Sequence, residues 1–152
     1  MFDAADSLLT WTGLTLAAAA FLGAALAVPH APPPDATAVA DAVDRVAASD
    51  YDAAATVDIA ADEVRVGPRR LSLRGDGGTT HAVFAERVVP ARPDSPLDRV
   101  LRGGDPDPLF ETPGAFARAA ALAWNRPAEW RSTETLRVRH VVWGGVDVVL
   151  VG

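Results

Sequence analysis

Leu136 to Val151 read LRVRHVVWGGVDVVLV: two runs rich in β-branched residues on either side of Gly144-Gly145. Such runs favour extended backbone, and a Gly-Gly pair reaches the positive φ of a primed two-residue turn at little cost. The stretch is therefore expected to be a tight hairpin. With the two glycines as the turn, Trp143 falls opposite Val146, Val141 opposite Val148 and Arg139 opposite Leu150. Both faces of that hairpin are largely apolar, which is the pattern of interior strands, so the C-terminal run ends inside a sheet.

Moving toward the N-terminus, Thr112-Pro113 places a cap residue before a proline, the signature of a helix start. The helix is expected over 114–124, with Phe116, Ala120 and Ala123 on one face. Ser95-Pro96-Leu97-Asp98 repeats the signature for a short helix to about Arg102. Gly103 to Pro108 is loop. Earlier still the pattern alternates, with Thr56 to Ile59, Glu63 to Val66, Leu71 to Arg74 and His81 to Glu86 as expected strands. Gly67-Pro68 and Gly75-Asp76-Gly77-Gly78 mark the turns between them. Arg87 to Val89 extends the last strand or begins another before Pro90 ends it. These strands are expected to form an antiparallel meander with Val64, Val66, Leu71 and Leu73 facing a core.

An amphipathic helix is expected before the meander, over 36–49, capped by Asp35 and presenting Val39, Val43 and Val46 as one stripe. It is expected to pack on the domain's own sheet. Pro29 to Asp35, with three consecutive prolines, reads as a stiff spacer.

Residues 8–28 carry no charge. A helix of that length rises about 30 Å, the thickness of a bilayer's hydrocarbon core. Ala25-Leu26-Ala27 has the small-x-small pattern of a signal-peptidase site, but the acidic start and the absence of Arg or Lys before Arg45 favour an uncleaved anchor. Gly13, Ala19, Ala20, Gly23 and Ala24 are its candidate positions for packing on another membrane helix, because small residues four apart let helices approach closely. The expected fold class is thus α+β: an N-terminal transmembrane helix, a proline linker, and one small domain with an antiparallel sheet packed by an amphipathic helix and a second helix. The expected divisions are 1–28, 29–35 and 36–152.

The 152 residues carry a net charge of −6 and no cysteine. Disulfides are excluded, and a basic nucleic-acid-binding face is not indicated. All 14 basic residues are Arg and 15 of the 20 acids are Asp, a bias of GC-rich, salt-adapted proteins.

Chemistry-bearing motifs are sparse. His30, His81 and His140 are far apart and share no ligand spacing. Asp76 sits in a turn that lacks the rest of a phosphate or calcium loop, and Asp105, Asp107 and Glu111 read as a solvated acidic loop. Asp62 and Glu63 face opposite sides of a strand. Ser72, Ser95 and Ser132 lack a nucleophile elbow. No catalytic, cofactor-binding or metal-binding residue and no cofactor is indicated. Arg69-Arg70, a basic spot in a turn, is the candidate partner contact.

Pro32-Pro33-Pro34-Asp35, Val43-Asp44-Arg45-Val46-Ala47, Val66-Gly67-Pro68-Arg69-Arg70 and Val142 to Val148 (VWGGVDV) give the chain a resemblance to an uncharacterised haloarchaeal family of small single-span membrane proteins. More loosely, an apolar N-terminal helix leading through an amphipathic helix into an antiparallel sheet is similar to type IV pilins and pseudopilins. The chain differs from pilins in the prolines at 29–34 and in having no basic, glycine-ended leader. The resemblance implies an accessory component of a pilus-like or secretion assembly rather than a processed filament subunit. The expectation is a non-enzymatic, single-pass interaction domain displayed outside the cell. Its partners are the lipid bilayer and other membrane or surface proteins, not nucleic acid. The alternative is an anchored ligand-binding or sensory module.

Overall fold

In the computed structural model, residues 31–152 are described, and Pro32–Gly152 form one compact unit. Helix α1 spans Ala36–Ala47, and Asp35 caps it by accepting a hydrogen bond from the Ala38 amide at 2.9 Å. Its buried stripe is Ala36, Val39, Ala40, Val43 and Ala47. Strands β1 (Ala53–Asp58), β2 (Glu63–Val66), β3 (Arg70–Gly75), β4 (Gly78–Val83) and β5 (Val89–Pro90) follow. Helices α2 (Pro96–Leu101) and α3 (Pro113–Trp124) come next, capped by Ser95 and Thr112 with proline in the first turn. The chain continues through β6 (Trp130–Arg131), β7 (Thr135–Trp143) and β8 (Val146–Val151).

Two four-stranded sheets result, ordered β1-β7-β8-β5 and β4-β3-β2-β6. The hairpin register is the expected one: Trp143 lies opposite Val146, Val141 opposite Val148 and Arg139 opposite Leu150. Strand β8 is an interior strand, flanked by β7 and, in parallel, by β5. The first sheet packs against a core on each face, while β1 and the Arg137 position stay exposed. Leu136, Val138, Val149 and Val151 share one core with α1 and with Val64, Val66, Leu71 and Leu73 of the second sheet. Val141, Val148 and Leu150 share the other with Leu97, Val100, Phe116 and Ala120 of α2 and α3. Burying each large aliphatic side chain in these cores contributes about 1.5–3 kcal/mol before the cost of ordering it.

The expected fold class needs correction. The antiparallel strands do not form one sheet. β1 leaves the meander and pairs with β7, because after Asp58 the Ile59 amide bonds to Glu134 O and the Asp62 amide to Arg74 O, which carries the chain from one sheet to the other. The three helices expected at 36–49, from Pro96 to about Arg102 and at 114–124 are present among the described residues, and none of them is long and apolar enough to cross a membrane. The expected transmembrane helix at 8–28 lies outside the described residues. Pro90 is the last residue of its strand and pairs beside Val151 at the sheet edge, where a missing N–H is tolerated.

Candidate functional site

Three clefts that share lining residues lie around α2, the end of α3, β6 and the first half of β7. Strand alternation puts Arg137 and Arg139 on the same face as Val141 and Trp143. The helices cover the last two, leaving the arginines at the surface. The largest cleft, about 700 Å³, is lined by Ala54, Ala55 and Thr56 of β1 with Arg102, Arg137 and Arg139. A second, about 240 Å³, shares Arg102 and Arg137 and adds Arg131, Ser132, Thr133 and Asp98. The third, about 330 Å³, shares Arg131 and adds Arg92, Arg126 and Glu129.

Six arginines and only two carboxylates line the three clefts, in a chain whose net charge is −6. Some of that charge is internally engaged. Arg92 meets Glu129 at 2.6 Å, and Arg102 meets Asp98 at 2.9 Å. Arg139 is structural: its Nη1 donates to Val100 O at 2.5 Å and to Gly104 O at 2.9 Å, satisfying carbonyls at the end of α2. Its Nη2 also lies 3.9 Å from Asp52. Arg126, Arg131 and Arg137 have no carboxylate within 4.0 Å among the described residues. A guanidinium offers a rigid fork that matches a carboxylate or phosphate, and it does not give up its proton. The clefts are thus suited to binding anions rather than to moving protons.

The outward face of the second sheet carries another arrangement. The registers align Trp130, Arg65, Ser72 and His81 in one row across β6, β2, β3 and β4. Arg65 and Arg74 lie 4.7 and 4.4 Å from the centroid of the Trp130 ring, and Arg74 is also paired with Glu63. Ser72 Oγ and His81 Nδ1 are 2.8 Å apart, although Ser72 is only 1% exposed. Pairing between strands thus joins a serine to a histidine that nothing links along the chain. No carboxylate lies within 4.0 Å of His81 among the described residues, so the pair lacks a third group to orient the imidazole.

Arg69 and Arg70 are exposed at the turn entering β3, and Arg70 borders a small hollow with Arg65, Gly67 and Ser72. They do not reach the arginine-lined clefts. Gly13, Ala19, Ala20, Gly23 and Ala24 lie outside the described residues. Among the described residues no three His, Asp or Glu side chains are grouped as metal ligands. The cleft arginines come from the approach to α2, from α2 and α3 ends, from β6 and from β7. Sequence reading missed them because that assembly is tertiary. The available hint was Arg137-x-Arg139, two charges on one face of an otherwise apolar strand.

Residues 3–141 match the family described as Family of unknown function (DUF7283). No curated protein and no solved structure matches the chain.

Proposed function

We propose, for a chain that belongs to the DUF7283 family, a role as a non-enzymatic interaction domain that docks an acidic segment of a partner protein along its arginine-lined clefts. The observation carrying this reading is the concentration of six arginines against two carboxylates in three neighbouring clefts of an acidic chain. A surface of net negative charge repels a long polyanion such as nucleic acid, while a local cationic groove still accepts a short acidic segment.

In this proposal the uncharged stretch 8–28 tethers the domain to a bilayer, and the folded part works on the outer side as an accessory component of a pilus-like or secretion assembly. The Asp-rich, Lys-free composition supports a haloarchaeal setting. At high ionic strength simple charge attraction is screened, which favours bidentate arginine–carboxylate contacts over diffuse ones.

The test is capture from detergent-solubilised membranes by the full chain and by a variant carrying Arg126→Glu, Arg131→Glu and Arg137→Glu. The expected outcome is that surface or membrane proteins with acidic exposed segments are retained by the natural chain and lost by the variant. Equal retention by both would overturn the assignment.

A further inference from the structure

Strand β1 is the outer strand of its sheet, and among the described residues nothing pairs with its far edge. Which of its groups point there follows from the ladder. The Ile59 amide donates to Glu134 O at 2.8 Å, and Arg137 exchanges hydrogen bonds with Gly152 on the β8 side of β7. In an antiparallel pair the N–H and C=O of one residue point the same way and alternate along the strand. Ala53, Ala55 and Val57 therefore turn toward β7, and Ala54, Thr56 and Asp58 turn their N–H and C=O groups outward. The Val142 amide, of the parity that faces β1, is taken at 2.9 Å by Asp52, which closes the ladder at that end.

Exposed edges are ordinarily blunted by proline, lysine, bulges or a covering element. The edge AAATVD has no proline or lysine, and its one charge, Asp58, stands at its last position. The 700 Å³ cleft is lined by the three consecutive residues Ala54, Ala55 and Thr56. Consecutive strand residues point to opposite faces, so the main chain of the edge itself forms part of the cleft wall. On the cleft face Ala54 and Thr56 stand opposite Arg139 and Arg137. Beside these short side chains Arg137 is exposed in the same cleft.

We infer that the partner's acidic segment binds as an added strand alongside β1, pairing with the outward groups of Ala54, Thr56 and Asp58. This inference rests on the docking role proposed above and specifies its mode. The segment alternates acidic side chains, which meet Arg137, with small or apolar ones. Opposite Asp58 it carries a neutral or basic residue, because like charges directly across a ladder repel. Main-chain hydrogen bonds supply the affinity and the alternating side chains the selectivity.

The probe is a synthetic peptide of alternating Glu and Val, titrated into the detergent-solubilised full chain, beside the same peptide N-methylated on alternate amides in each of the two phases. Methylation keeps the charges and removes ladder donors. The expected result is binding of the parent peptide and a loss of about tenfold or more with the methylated peptide whose blocked amides face β1. Thr56→Pro removes one outward N–H and leaves the β7 ladder intact, so it should weaken the parent peptide by a similar factor. Arg137→Gln should weaken every peptide. If both methylated peptides bind as well as the parent while Arg137→Gln still weakens binding, acidic docking stands and strand addition falls. If no peptide binds, both fall. If the chain instead forms a dimer that Thr56→Pro disrupts, the edge belongs to a second copy and the acidic-strand assignment is overturned. If Thr56→Pro does not fold, the methylated peptides alone decide.

Discussion

Gly144 sits at φ 55° in the β7–β8 turn, and a Cβ added there would fall 2.9 Å from Cβ of Pro113 at the start of α3. Its neighbour Gly145, at φ 80°, has open space around it. The two glycines therefore do different jobs. Both allow the primed turn, but only Gly144 also lets the hairpin tip approach a helix. Gly145→Ala should cost about 1 kcal/mol from the left-handed backbone alone. Gly144→Ala should cost about 2–4 kcal/mol, because a steric clash adds to that strain. Urea unfolding of the two variants checks the order, and equal losses would remove Pro113 from the explanation. At this scale the sequence was informative wherever local rules act. The Gly-Gly turn and the Trp143 to Val146 register both follow from local pattern. The Ser72–His81 contact does not, since it depends on which strand lies beside β3.

Helix α2 has only six residues, too few to be stable through its own hydrogen bonds. It is held by Asp98, which is 6% exposed and accepts from Arg102 Nε at 2.9 Å and from the Asp94 amide at 3.1 Å. Ser95 caps the same turn through the Asp98 amide. Asp98→Ala should destabilise the domain by about 1–2 kcal/mol, since it removes the acceptor shared by the Asp94 amide and the half-exposed Arg102 guanidinium, both of which water partly replaces. Thermal unfolding by circular dichroism measures this, and an unchanged midpoint would show that α2 is held by its apolar contacts alone. Capping residues made the starts of α1, α2 and α3 legible from Asp35, Ser95 and Thr112. The two-residue strands β5 and β6 were not legible, because neither has room for a periodic pattern.

For the molecule as a whole, local patterning identified most strands but not how they divide between sheets. A run such as AAATVD reads the same whether it pairs with its neighbour in sequence or with β7 far along the chain. Long-range pairing leaves no local mark, and for that reason a single meander was expected where two sheets form. The same division leaves β1 as an open edge and brings Arg102, Arg137 and Arg139 to the cleft beside it. Docking of an acidic strand on that edge is tested most directly by amide hydrogen exchange on the full chain, with and without the alternating Glu/Val peptide. Slowed exchange is expected at the Ala54, Thr56 and Asp58 amides, with Ala53, Ala55 and Val57, already bonded to β7, unchanged. Unaltered exchange at those three amides at saturating peptide, or protection confined to β4, would contradict it.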